Sequence, residues 1–370
     1  MPLDPFFRER LRVHRRYLFD QAVSRIRDRL RGLRRTRDAA PSASPSPAAP
    51  PSRRSTSGAP ASPSPASAGR PRGRHLSPRE RHRRAARRWD AQELATVGRP
   101  GPEMETEEHV VPVAGYPDVR VRLYRPASAP HPAPACLVLA GGAFRIGGID
   151  FPTVDAAARR RADRSGVVLV AVDYALAPEA RYPAAVEQAY AAWVWLHAEA
   201  AGLGIDPDRL GIAGTSAGGN IAAAVTLANR DRDALPVQLQ ILEVPVTDLT
   251  GRRIDLRATW ALGIPAFLAL RELRSVAQTY LGDWRRAREP LASPLRAASH
   301  AGLPPAIILT AEYDPLRGDG AAYGAALRAA GFEASVTRYL GVTHDTPIFV
   351  GALEASRRWE DEVASGLRRL

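Results

Sequence analysis

The spacing of apolar positions changes near residue 107. Before it the period is helical. Phe7, Leu11, Leu18, Ala22, Ile26, Leu30 and Leu33 stand three, four or seven residues apart, on one face of a helix over 4–37. A second helix is expected over 78–95, opened by Ser77-Pro78. Beyond residue 107, short apolar runs alternate with helical segments. The pattern predicts strands at 109–113, 119–124, 136–140, 167–172, 210–214, 237–242, 306–310 and 333–339. It predicts helices at 152–165, 184–200, 217–229, 319–330 and 346–367. Apolar strands alternating with helices imply an α/β fold, a mostly parallel central sheet with helices on both faces. Gly115 and Pro117 between the first two strands indicate a hairpin, so the first strands run antiparallel.

Composition divides the chain further. Residues 39–69 hold 8 Pro, 9 Ser and 9 Ala. Such a stretch buries too little apolar surface to offset its ordering entropy, so 39–75 reads as a disordered linker. This separates a basic amphipathic helix over 1–38 from a domain over 76–370, which contains an insertion near 249–300. The net charge of +13 suggests nucleic acid until it is mapped. Residues 1–88 hold 23 Arg against 6 acids, whereas 89–370 hold 29 Arg against 33 acids. The large domain is mildly acidic, and no nucleic-acid partner is expected. The basic helix suits either a cap packed on the domain or weak peripheral contact with an anionic membrane. A homodimer is compatible with the sequence. No run reaches the ~18 apolar residues of a membrane span. The N-terminus lacks the apolar core of a secretory signal. The lone Cys136 fits a reducing compartment, so a cytoplasmic location is expected.

The chemistry-bearing residues cluster at expected strand ends. Gly214-Thr215-Ser216-Ala217-Gly218 follows a strand and opens a helix, the setting of a nucleophile on a sharp turn. Its glycines let strand and helix pass closely, and the helix N-terminus would face a developing oxyanion. A phosphate-holding turn is the other reading of the same glycines. A serine nucleophile needs a base. His344 follows the last strand at the C-terminal edge of the sheet, where parallel-sheet sites form. His300 reads as a surface-loop residue. For the orienting carboxylate, Asp314 lies just past strand 306–310; Asp248 is the runner-up, and Asp345 adjoins the histidine too closely. The glycine-rich loop at 140–148 would supply further oxyanion donors beside the N–H of Ala217. Phe144, Arg145, Trp260, Phe267 and Leu268 are placed by position to line a pocket. No cluster has metal-ligand spacing, and no cofactor is expected.

Together these segments resemble the hormone-sensitive-lipase-like carboxylesterases of the α/β-hydrolase fold. The likeness spans roughly 100–370 and rests on Ala140-Gly141-Gly142-Ala143-Phe144, on Asp173-Tyr174-Ala175-Leu176-Ala177-Pro178-Glu179 with Pro183-Ala184-Ala185, and on the serine turn. Pro245-Val246-Thr247-Asp248, Ser293-Pro294-Leu295, Asp314-Pro315-Leu316-Arg317 and Gly341-Val342-Thr343-His344 extend it. The resemblance implies a helical cap and a Ser216, Asp314, His344 triad, with oxyanion donors at the backbone of Gly142, Ala143 and Ala217. It implies hydrolysis of short to medium acyl esters through an acyl-enzyme, with a small-molecule ester as substrate and no cofactor. Two positions depart from the family. Ala140 stands where a loop-bracing histidine is usual, and Thr215 where aspartate is commoner. The first departure keeps an alternative in play, a catalytically impaired small-molecule-binding protein on the same fold. Plant gibberellin receptors are of that kind, but they lack the histidine that this chain retains at His344.

Overall fold

Successive short apolar segments pair edge to edge through their backbone hydrogen bonds into one eight-stranded sheet. In the computed structural model the described residues are 1–12 and 77–370. The expected linker over 39–75 and most of the expected basic helix over 1–38, with its membrane contact, lie outside them. The strands are β1 (Glu105–Val111), β2 (Val119–Arg125), β3 (Ala133–Leu139), β4 (Val168–Val172), β5 (Ile205–Thr215), β6 (Leu239–Glu243), β7 (Ala306–Tyr313) and β8 (Ala334–Thr343). Their order across the sheet is β1-β2-β4-β3-β5-β6-β7-β8. The β1–β2 hairpin and the β2–β4 pair are antiparallel, and every other pair is parallel.

Alternation along each strand feeds two cores. Among the described residues from 77 onward the α-helices are α1 (Pro78–Thr96), α2 (Pro152–Ser165), α3 (Ala184–Ala198), α4 (Ala217–Asp231), α5 (Leu256–Ala261), α6 (Ala266–Leu281), α7 (Arg317–Ala329) and α8 (Glu354–Leu367). Leu137, Leu139, Val170, Ile212, Leu242 and Ile308 join α3, α4 and α7 on one side. Cys136, Leu169, Ala171, Ala213, Ile241 and Leu309 join α2 and α8 on the other. Pro152 starts α2, and Gly166 ends it in a left-handed cap at φ 74°. The connection from β3 leads to β4 on one side and that from its neighbour β5 leads to β6 on the other, so a crevice opens between the C-terminal ends of β3 and β5.

Several boundaries differ from the sequence pattern, each for a physical reason. β1 begins at Glu105, not 109, because an exposed edge strand tolerates the polar run Glu105–Glu108. The last helix does not start at 346. Thr346–Ile348 forms one tight turn, and α8 begins only at Glu354. Between them Gly351 sits against α1's end, where a Cβ would stand 2.1 Å from Gly98 O and its own N–H donates to Val97 O. The insertion near 249–300 contains α5 and α6. Residues 1–8 pack with 79–370 in one unit. Asp4 N–H donates to Gly341 O at 2.8 Å, and Phe6 and Phe7 meet the ring of Phe349 at 5.1 and 5.4 Å. Among the described residues no helix is long and apolar enough to cross a membrane.

Candidate active site

β5 ends at Thr215 and α4 begins at Ala217, and Ser216 between them has φ 54° and ψ −113°. That backbone conformation is costly for a residue with a Cβ. The turn closes because its neighbours lack side chains. A Cβ at Gly214 would stand 2.2 Å from Gly218 O, and one at Gly218 would stand 2.1 Å from Leu139 O. Ser216 N–H donates to Glu243 O at 2.8 Å, and Asn220 N–H donates to Ser216 O at 3.0 Å. The Glu243 carboxylate anchors the same turn from below. It accepts from Thr215 Oγ1 at 3.0 Å, from Trp359 Nε1 at 2.7 Å and from both terminal nitrogens of Arg161 at 2.7 and 2.8 Å.

His344 follows β8 and Asp314 follows β7, so neighbouring strand ends deliver both to the serine. His344 Nε2 lies 2.9 Å from Ser216 Oγ, and His344 Nδ1 lies 2.7 Å from Asp314 Oδ2. With Nδ1 protonated toward the carboxylate, Nε2 is left to accept the serine proton. Asp314 is buried, and its Oδ1 accepts the Leu316 N–H at 2.8 Å. One carboxylate therefore both caps the turn into α7 and holds the imidazole. Burial disfavours the imidazolium, but the charge and hydrogen bond of Asp314 outweigh it, with Asp345 adding. The result pushes the pKa of His344 up to about 9.

The loop after β3 faces the serine. Gly142 has φ 140°, and a Cβ there would meet Ile146 O at 2.0 Å; Ala143 and Phe144 follow at φ 52° and 59°. Arg145 and Ile146 N–H both donate to Gly142 O at 3.0 Å, which curls the loop. Among the described residues no acceptor meets the N–H of Gly142, Ala143 or Ala217. Ala217 N–H is the first of α4, at the positive end of its dipole. Ala140 brings no side-chain hydrogen bond to the loop. Its brace comes from Tyr174, whose hydroxyl donates to Ala140 O at 2.7 Å, and from Ala177 N–H, which donates to Phe144 O at 2.8 Å.

A cavity of about 400 Å³ opens beside Ser216 and His344. None of the five side chains expected to line a pocket does so. Phe144 is turned by its positive φ into the core, stacked 3.8 Å from Tyr280. Arg145 pairs with Glu272 at 2.6 Å, while Trp260, Phe267 and Leu268 point to solvent. His300 is not a surface residue either. It is buried, with Nε2 3.2 Å from Pro294 O and its ring 5.6 Å from Tyr323. Asp248 turns away from His344 and accepts from the N–H and hydroxyl of Thr250 at 2.9 and 2.6 Å. The sequence reading does not find Glu243 or Tyr174. A glutamate closing the apolar run Leu239–Leu242, and a tyrosine inside the quoted 173–179 segment, are the signals available. Among the described residues no group of three His, Cys, Asp or Glu side chains is placed to hold a metal ion.

A family model described as the α/β hydrolase fold matches residues 136–348. Carboxylesterase NlhH of Mycobacterium tuberculosis is 36% identical over 274 residues, covering 72% of this chain and 83% of that one. An arylesterase of Saccharolobus solfataricus is 33% identical over 259 residues, covering 70% and 81%. Among solved structures, a hyperthermophilic esterase from Pyrobaculum calidifontis superposes with a TM-score of 0.72 at 33% identity, over 79% of this chain and 91% of that one.

Proposed function

The chain belongs to the hormone-sensitive-lipase-like carboxylesterases of the α/β-hydrolase fold, a class of serine hydrolases, and on that premise we propose that Ser216, His344 and Asp314 perform the hydrolysis. Ser216 Oγ attacks the ester carbonyl as His344 Nε2 takes its proton. Asp314 holds the imidazole and stabilises the imidazolium. The N–H groups of Gly142, Ala143 and Ala217 meet the carbonyl oxygen as it becomes an oxyanion. His344 returns the proton to the leaving alcohol, and an acyl-Ser216 ester remains. Water, deprotonated by the same nitrogen, resolves it to acid and free serine. We assign this chemistry to the domain of residues 76–370 and to short and medium acyl esters.

The observation that carries the reading is the unbroken chain of 2.9 and 2.7 Å contacts from Ser216 through His344 to Asp314. The test is turnover of p-nitrophenyl butanoate by the wild type beside Ser216→Ala. The expected loss is on the order of a million-fold in kcat, with folding intact by circular dichroism. Near-normal turnover by the variant would sink the assignment of the nucleophile.

A further inference from the structure

We propose that the turn between α5 and α6, with the first turns of α6, is a docking surface for an anionic lipid bilayer. On the inner side Ala258, Thr259 and Leu262 are buried and hold this segment to the domain. The Asp255 carboxylate accepts the Arg257 N–H at 2.9 Å and pairs with Arg317 at 2.6 Å, which ties the start of α5 to the start of α7. Gly263 and Ile264 N–H close the turn, donating to Trp260 O at 2.8 Å and to Thr259 O at 2.9 Å. The buried residues of α6 are Ala277, Tyr280 and Leu281, so residues 266–276 contain none. The turn and the N-terminal half of α6 therefore stand out from the domain on a fixed base. Trp260 is 74% exposed, Phe267 68% and Leu268 45%, with the exposed Ile264 between them. Soluble proteins scatter exposed apolar residues singly, and four large ones on a single turn mark a surface that something covers.

Charge selects the occupant. Around the turn lie Arg252, Arg253, Arg257, Arg271 and Arg274, all exposed. The acids of the same segment are committed outside it, Asp255 to Arg317 and Glu272 to Arg145, each at 2.6 Å. Two copies of this face would therefore repel each other, and an uncharged partner would leave the arginines unused. An anionic bilayer takes the apolar and the basic groups together. The order along α6 fits it. Arg271 follows Phe267 by one turn, about 5.4 Å along the axis. Apolar side chains of a surface-bound helix sink roughly 5–10 Å past the headgroups. The guanidinium thus reaches the phosphates as the ring reaches the acyl chains, and an indole such as Trp260 suits that boundary. The surface is also joined to the catalytic cavity. Leu268 stands one turn before Glu272, which holds Arg145 of the loop facing Ser216. Arg145 O in turn accepts from Arg83 of α1 at 3.0 Å. Docking brings that rim to the bilayer, and with it any ester dissolved there.

The test is co-sedimentation of the full chain with vesicles of phosphatidylcholine containing about a third phosphatidylglycerol, beside vesicles of phosphatidylcholine alone. It reads binding without turnover, so it stands apart from the assignment of Ser216. The wild type should bind the anionic vesicles. Trp260→Ser/Phe267→Ser should bind them about tenfold more weakly or worse, at an unchanged Tm, because both side chains already face water. Arg271→Gln/Arg274→Gln should lose about tenfold on anionic vesicles and nothing on neutral ones. A second readout separates this surface from the basic segment over 1–38, which holds no tryptophan. Lipid brominated along its acyl chains should quench the wild type's tryptophan emission, and Trp260→Phe should lose most of that quenching while still binding. Undiminished binding by either double variant overturns the proposal, and in the first case it moves the contact to residues 1–38. Quenching that survives Trp260→Phe does the same. A wild type that leaves anionic vesicles alone also overturns it, and dimerisation lost in Trp260→Ser/Phe267→Ser would then give the surface to a second copy.

Discussion

His344 is where structure and reactivity meet most directly. Its pKa is pushed up to about 9 against the cost of burial, chiefly by the Asp314 carboxylate at 2.7 Å. A general base works only when neutral. The acid limb of kcat/KM should therefore rise roughly tenfold per pH unit and level off near pH 9. A plateau already complete at pH 6.5 would contradict this. Asp314→Asn should cut kcat by roughly four orders of magnitude, because the imidazole loses both its partner and its tautomer. The same pair has an opposite signature in stability. A raised histidine pKa contributes stability that is full below its ordinary value of about 6.5 and is lost as pH rises through about 9. In urea unfolding, the advantage of wild type over Asp314→Asn should narrow between those limits. An advantage that widens with pH would mean that the carboxylate does not hold the charged imidazole.

Elements set these side chains in place through backbone contacts that tolerate little change. Gly214 and Gly218 are packed against main-chain oxygens at 2.2 and 2.1 Å from where a Cβ would lie. Gly218→Ala should therefore cost about 1–3 kcal/mol, read as a lower denaturation midpoint, together with activity. Glu243→Ala should cost about 3 kcal/mol, because it leaves the largely buried Arg161 charged and without its partner. A midpoint within experimental error of wild type would show that the turn does not depend on that carboxylate. These contacts also explain how much was legible in the sequence. β4 reads directly from Val-Leu-Val-Ala-Val, because both faces are buried. β1 was displaced in the pattern because its outer residues face water. Ser216, Asp314 and His344 stand out as candidates in the sequence because each directly follows an apolar strand. Glu243 and Tyr174 act across the fold on Thr215 and on Ala140 O, and no local period records such a contact. Phe144 and Arg145 do not line the cavity because the positive φ at Ala143 and Phe144 redirects the loop, and spacing alone does not reveal a backbone sign.

For the molecule as a whole, the strand order brings the ends of β3, β5, β7 and β8 to one edge, and four separated segments become one site. The N-terminal residues reinforce that edge. Phe7 is buried, and Asp4 is bonded to Gly341, three residues before His344. Removing residues 1–8 should lower stability by about 1.5–3 kcal/mol for the phenylalanine alone. It should also reduce kcat by loosening the loop that carries the histidine. An unchanged Tm would separate those residues from the fold. The most direct test of the account is covalent. The protein is incubated with a p-nitrophenyl alkylphosphonate, the released nitrophenol is counted, and the modified peptide is sequenced by mass spectrometry. The account predicts one nitrophenol per chain, an adduct on Ser216 and none on the Ser216→Ala protein. Stoichiometric labelling at another residue, or at the wild-type rate without Ser216, would contradict it.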